Sequence, residues 1–313
     1  MKPSHTTEHS ITVNAPATGV FDLIARADDW PRLFPPNIHV EYLERGEDHE
    51  RLRIWATARD EVKTWTSYRE LDRAGLRVRF RQEVPAHPVT AMGGEWLMEA
   101  EAGGRTRVRF THDFEAAGDD PRDVEWIREV IDRNTTAELG ALRDAAERDR
   151  HGDLTHSFED TVVFTGTAER AYEFLHDAAQ WSRRLPHVAA CAVEESTPGI
   201  QTMDMDTLTA DGSTHSTRSV RICFPHKRIV YKQLRTPALL TAHTGEWLVA
   251  ETAVGVEIVS RHTVTIAPEA IPEILGADAD IGRARSFVRE ALGRNSRTTM
   301  EHARAFAEKD STV

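Results

Sequence analysis

Short runs of alternating apolar and polar residues dominate both halves of the chain, interrupted in each half by one short and one long stretch of helical spacing. In the first half the alternation predicts strands over 10–13, 40–43, 52–56, 62–71, 76–84, 91–99 and 106–114, with Gly75 and the Gly103-Gly104 pair at turns. Pro16 opens a helix over 17–27. Pro121 opens another that runs to about Arg148, with Val124, Ile127, Ile131 and Asn134 along one face. Consecutive hairpins give an antiparallel sheet, and one long amphipathic helix must lie against it to bury its apolar stripe. The fold class is α+β, and a curved sheet gripping a helix leaves a cavity between the two.

The second half repeats the first. At an offset of 151, Phe21-Asp22-Leu23-Ile24 falls on Tyr172-Glu173-Phe174-Leu175, Trp30 on Trp181, Arg32 on Arg183 and Pro35 on Pro186, and Gly94-Glu95-Trp96-Leu97 is identical to Gly245-Glu246-Trp247-Leu248. Arg133-Asn134 meets Arg294-Asn295 once the loop before the last helix is lengthened by ten residues. A repeat this long is a duplicated domain rather than a solenoid. We expect two domains, 1–150 and 151–313, joined near Arg150 to Asp153.

Composition narrows the function. A length of 313 residues suits two cores of ordinary size, and 40% hydrophobic with 29% charged residues is globular composition. The longest apolar runs, such as 189–193, are far shorter than a membrane span, and the polar stretch 2–10 does not resemble a secretory signal. The expected location is the cytoplasm, away from any membrane. A net charge of −12 argues against nucleic acid as a partner. Cys191 and Cys223 form no disulfide framework or metal spacing and read as small buried residues. No phosphate loop, metal motif or nucleophile elbow is present, so no cofactor or metal is called for. Three arginine runs alternate along strands, Arg51/Arg53, Arg77/Arg79/Arg81 and Arg105/Arg107/Arg109. Each run shares a sheet face, to receive an acidic partner protein or to pair with the chain's own carboxylates.

Within 65–69, period two puts Trp65, Ser67 and Arg69 on one face and Thr66 and Tyr68 on the other, while Met92, Gly94, Trp96 and Met98 share a face in their own strand. If these faces are internal, the cavity is apolar with one hydroxyl and one guanidinium, the usual chemistry of a small-molecule site. In the alternative, Val62, Thr64, Thr66 and Tyr68 point inward and Arg69 is solvated. Asn134, an amide on an apolar helix face, wants an internal partner.

These residues carry a resemblance. Trp30 with Phe34-Pro35, Trp65-x-Ser67-x-Arg69, the Met92 to Trp96 strand and Asn134, together with the duplication, make the chain similar over essentially its whole length to the didomain aromatase/cyclases of bacterial type II polyketide synthases. Those proteins lie in the helix-grip (START or Bet v 1-like) superfamily. The resemblance implies that Arg69 is the main catalytic residue and lies inside. It implies a substrate tethered to an acyl carrier protein, other synthase subunits as partners, and a first ring joining carbon seven to carbon twelve. Some monodomain relatives have a tyrosine near the position of Asn37, which leaves that role without a bearer here.

In the second copy, shifting the alignment by two residues places Ser67-Tyr68-Arg69 on Ser216-Thr217-Arg218, Trp65 on Thr214 and Met92 on His243. The second cavity is expected to be wider and more polar, with Trp181, Trp247 and Asn295 as binding residues and His243 as an acid or base. In the first, Trp30, Phe34, Trp65, Met92 and Trp96 would fold a poly-β-ketone and Arg69 would stabilise the aldol oxyanion. Ser67 and Asn134 would hydrogen-bond a carbonyl or a water. Loss of water would then give the aromatic ring. No side chain of the first copy stands out as the general base for that step, where an ordered water held by Ser67 is expected to serve, and His243 is the candidate in the second copy. A cavity that only carries a hydrophobic ligand is the rival reading, and against it stands a Ser-x-Arg pair in each copy, because burying an unpaired guanidinium is costly.

Overall fold

The computed structural model describes residues 5–59, 61–148, 154–209 and 212–309. The chain divides into two compact units, 1–152 and 153–313. The join expected near 150–153 falls outside the described residues.

In the first unit β1 (His5–Val13) leads into α1 (Ala17–Ala25) and the short α2 (Trp30–Leu33). The meander β2 (Asn37–Arg45), β3 (His49–Ala58), β4 (Glu61–Asp72), β5 (Arg77–Val84), β6 (Val89–Glu101) and β7 (Arg105–Ala116) follows, and α3 (Pro121–Arg148) ends the unit. All pairings are antiparallel, in the order β1-β7-β6-β5-β4-β3-β2. The helices between β1 and β2 carry the chain across the sheet, so β1 pairs with β7 at the far edge. The turn into β7 is made by Gly103 and Gly104, both at positive φ, which glycine adopts without steric cost.

Alternation sorts the faces. In β7, Val108, Phe110, His112 and Phe114 point inward against α3, whose Ile127, Ile131, Leu139 and Leu142 are buried. The outward arginines pair with neighbouring carboxylates: Arg51 with Glu44 and Glu83, Arg79 with Glu95, Arg81 with Asp113, Arg109 with Glu99. Of the two uses foreseen for these runs, pairing within the chain is the one found at these positions.

The second unit repeats the plan with β8 (Thr155–Phe164), α4 (Ala168–His176), α5 (Trp181–Arg184), β9 (Val188–Thr197), β10 (Ile200–Leu208), β11 (Thr214–Phe224), β12 (Arg228–Arg235), β13 (Leu240–Thr252) and β14 (Gly255–Ile266). The longer loop folds into α6 (Ile271–Leu275) before α7 (Ile281–Glu308). Asp280 caps α7 by accepting from the backbone N–H of Arg283 at 2.8 Å, and buried Asp160 of β8 holds the helix through Arg289 and Arg297. The repeated glycine of the GEWL segment has a steric reason: a Cβ at Gly94 would lie 2.0 Å from the Thr111 carbonyl oxygen, and one at Gly245 would lie 2.4 Å from that of Arg261. Both cysteines are free, Cys223 buried and Cys191 partly so.

Candidate functional site

Among the described residues, two apolar clusters stand out in the core of each unit. In the first, one gathers around Val20, Phe34 and Trp96, and the other around Phe114, Ile127 and Ile131. A cavity of about 170 Å³ is walled by members of both clusters. A cavity of about 150 Å³ accommodates benzene, so this one suits a single six-membered ring. Trp30, Phe34, Trp65, Ser67, Arg69, Met92, Trp96 and Asn134 all line it, so the inward reading of 65/67/69 holds. The ring of Trp96 stacks on Phe110 and lies 6.2 Å from Phe34, giving the cavity a flat aromatic wall. Asn134 donates to the Thr57 carbonyl at 2.8 Å, and Asn37 donates to Glu138. Both amides thus brace α3 against the sheet edge.

Arg69 is 2% exposed and tightly held. Its Nε and Nη2 donate to Glu50 at 3.2 and 2.5 Å, Nη1 to the Ile24 carbonyl at 3.1 Å, and Nη2 to that of Ala25 at 2.9 Å, while the guanidinium carbon sits 4.6 Å over the Trp30 ring. Four of the five N–H bonds are therefore spent, leaving one on Nη1. Burial pushes the guanidinium pKa down and Glu50 pushes it back up, so it stays charged. The arginine anchors the end of α1 to the sheet, a structural task that the sequence pattern did not disclose.

His112 went unrecognised in the sequence. It lines the cavity from β7, with its ring centroid 4.2 Å from Phe110 and 5.7 Å from Phe80, and its buried Nδ1 has no hydrogen-bond partner among the described residues. Burial drives its pKa down to about 3, so the resting imidazole is neutral. The signal was present: His112 continues the inward alternation of Val108, Phe110 and Phe114.

The second unit departs from the predicted alignment. Ser216 and Arg218 lie on the outer face, where Ser216 donates to Asp206 and Arg218, half exposed, pairs with Asp204 at 3.4 Å. The inward pair is Ser219 and Arg221, both buried, and Trp65 corresponds to buried Thr217 rather than Thr214. The strand bulges fix this: Thr66 opposes Val84 and Ser67 opposes Gln82, as Arg218 opposes Arg235 and Ser219 opposes Gln233. Two Ser-x-Arg triplets follow each other in 216–221, and only the one that continues the inward alternation can enter the core. Arg221 repeats the anchor, donating to the carbonyls of Leu175 and His176 and lying 5.4 Å over Trp181. Glu50, however, is replaced by Gln201, which accepts from Arg221 at 2.8 Å.

Trp181 and Trp247 are buried edge to face at 6.5 Å, and the carbonyl of Asn295 accepts from the Thr299 hydroxyl. His243 is buried beside His262, and burial drives its pKa well below the usual range.

A family model described as polyketide cyclase/dehydrase and lipid transport matches residues 4–147. The granaticin polyketide synthase bifunctional cyclase/dehydratase of Streptomyces violaceoruber is 45% identical, covering 97% of this chain and 95% of its own. The corresponding actinorhodin synthase protein of Streptomyces coelicolor is 43% identical, with 97% of each chain covered. Among solved structures, the di-domain aromatase/cyclase BexL of the BE-7585A biosynthetic pathway superposes with a TM-score of 0.85 at 47% identity, over 97% of this chain and 99% of that one.

Proposed function

Since the chain belongs to the bifunctional cyclase/dehydratases of polyketide synthases, we propose that its first-domain cavity closes the first ring of a poly-β-ketone by intramolecular aldol addition. The observation that carries this is His112, whose buried Nδ1 has no hydrogen-bond partner among the described residues and whose ring lies among aromatic rings in a cavity sized for one ring.

A methylene between two carbonyls is acidic. His112 Nδ1 accepts its proton, the enolate carbon attacks a ketone carbonyl, and the resulting alkoxide takes the proton back as a hydroxyl. The remaining N–H on Arg69 Nη1 supplies the oxyanion donor, and such a donor is worth about a hundredfold or more in rate. Its charge is already offset by Glu50, so the donor acts more as a directed hydrogen bond than as a free cation. Trp65, Trp96, Phe34 and Met92 hold the folded chain in a conformation that favours one closure over its competitors.

Joining carbon seven to carbon twelve makes a six-membered ring, which matches the cavity. The remaining chain and its thioester would extend outside, consistent with presentation by an acyl carrier protein. The test is product analysis of a reconstituted synthase with His112→Gln, checked for folding by thermal melting. The reading expects spontaneous, mis-cyclised products, and the wild-type product at the wild-type rate would defeat it.

A further inference from the structure

In the second unit the two apolar clusters are again separate, one around Phe174, Trp181 and Trp247 and the other around Leu239, Val264 and Ile271, but a polar array occupies the intervening positions. His243 Nε2 lies 3.0 Å from His262 Nδ1, and the Tyr231 hydroxyl lies 3.0 Å from the same nitrogen. His262 Nε2 lies 2.7 Å from the Ser296 hydroxyl and 3.1 Å from that of Ser260. His243 Nδ1, Ser219 Oγ and Gln233 Oε1 are buried and have no partner among the described residues. Their positions correspond to Met92, Ser67 and Gln82, and that of His262 to His112, all of which line the first cavity. Thr217 replaces Trp65 and Ser260 replaces Phe110, while Phe158 stacks on His262 at 5.0 Å and Tyr231 lies edge-on to His243 at 5.5 Å. Ile271 of α6, with no counterpart in the first unit, packs with Leu239 and Leu240.

Three buried polar atoms without a partner among the described residues, on strands whose counterparts in the first unit wall its cavity, mark where a polar ligand can bind. The histidine pair also has a definite chemical capacity. With a proton on His243 Nε2, that nitrogen donates to His262 Nδ1, His262 Nε2–H donates to serine, and His243 Nδ1 is left as an acceptor. With the tautomers reversed, His243 Nδ1–H is a donor. The open nitrogen can therefore accept a proton and return it.

We propose that the second domain is the dehydration site, with His243 as the catalytic acid and base and His262 and Ser296 as positioning residues. This deepens the cyclase/dehydratase reading and rests on it. The substrate is the β-hydroxy ketone that aldol closure produces. His243 Nδ1 takes the proton from the carbon beside the ketone, the C–H electron pair becomes the new C=C bond, and the C–O bond breaks. The same proton then goes to the departing oxygen, so one water leaves and the residue is regenerated. Ser219 and Gln233 supply hydrogen bonds to the ketone and hydroxyl groups.

The test uses the full-length protein and a β-hydroxytetralone, which becomes a fluorescent naphthol on losing water. Wild type should accelerate naphthol formation over buffer, and Arg218→Ala, on the outer face, should match it. His243→Met, which installs the residue found at position 92 of the first domain, should lower kcat about a hundredfold or more. His262→Gln should lower kcat with little change in KM. Imidazole added to His243→Ala should restore part of the rate, a response that a purely structural histidine would not give. No acceleration by wild type, a wild-type rate in His243→Met, absence of imidazole rescue, or a larger loss in His112→Gln than in His243→Met would each overturn the assignment. Ring-closure regiochemistry, read separately with His112→Gln, reports on the first cavity, so the two proposals fail independently.

Discussion

Replacing Arg69 by alanine perturbs stability before it perturbs chemistry. The side chain bridges Glu50 and the carbonyls of Ile24 and Ala25 at 2% exposure, so its removal strands a buried carboxylate and two carbonyl oxygens. Breaking a buried pair from one side costs about 3–5 kcal/mol. For a domain of this size each kcal/mol moves the midpoint by about 2–4 °C, which gives a loss of about 6–20 °C in the first domain's transition. The second domain supplies a natural control, because Arg221 is held there by Gln201 in place of a carboxylate. Glu50→Gln should therefore cost less, about 1.5–3 kcal/mol, the value of one hydrogen bond to a charged group. Scanning calorimetry of wild type, Arg69→Ala and Glu50→Gln measures all three, with the second domain's transition as an internal reference. If Arg69→Ala melts with wild type, or if Glu50→Gln is the more damaging change, the anchoring argument is wrong.

Three further outcomes follow from the geometry. Arg218→Ala should change stability by no more than about 0.5 kcal/mol, whereas Arg221→Ala, which leaves the Leu175 and His176 carbonyls without their donor, should cost on the order of 3 kcal/mol by urea titration. His112 has a pKa of about 3 folded against about 6.5 unfolded, so the unfolded state binds the extra proton first as pH falls. Stability should be full above pH ~6.5 and drop by about 2 kcal/mol between pH ~6.5 and ~5 on account of this residue. That slope should flatten in His112→Gln, as shown by denaturation midpoints across pH. Gly94→Ala forces a Cβ to 2.0 Å from the Thr111 carbonyl and should cost at least about 1–3 kcal/mol by thermal melting.

Period-two and helical patterning disclosed the strands, both long helices and the duplication, because each element buries one face and exposes the other. The short α2 escaped notice because four residues carry no periodicity. The face of β4 was settled by its place in the sheet, and with it the positions of Trp65, Ser67 and Arg69. What Arg69 binds was not legible, since Glu50 lies nineteen residues away across a hairpin and the Ile24 carbonyl is main chain. The second copy went astray at 216–221, where two equivalent triplets compete. The β10–β11 turn gains one residue and the β11–β12 turn loses one, whereas the sequence alignment shifts by two residues in the opposite direction to reach the earlier triplet. His112 and His262 were passed over because a histidine among apolar neighbours has no motif of its own; only the third dimension shows which of its nitrogens lacks a partner.

The claim that ring closure occurs in the first cavity is tested most directly by filling it. Ala56 lines that cavity, and Thr207 is its counterpart in the second domain. Product analysis of the reconstituted synthase with Ala56→Phe and, separately, Thr207→Phe should give mis-cyclised products for the first and the wild-type first-ring connection for the second. A wild-type product from folded Ala56→Phe would contradict the account.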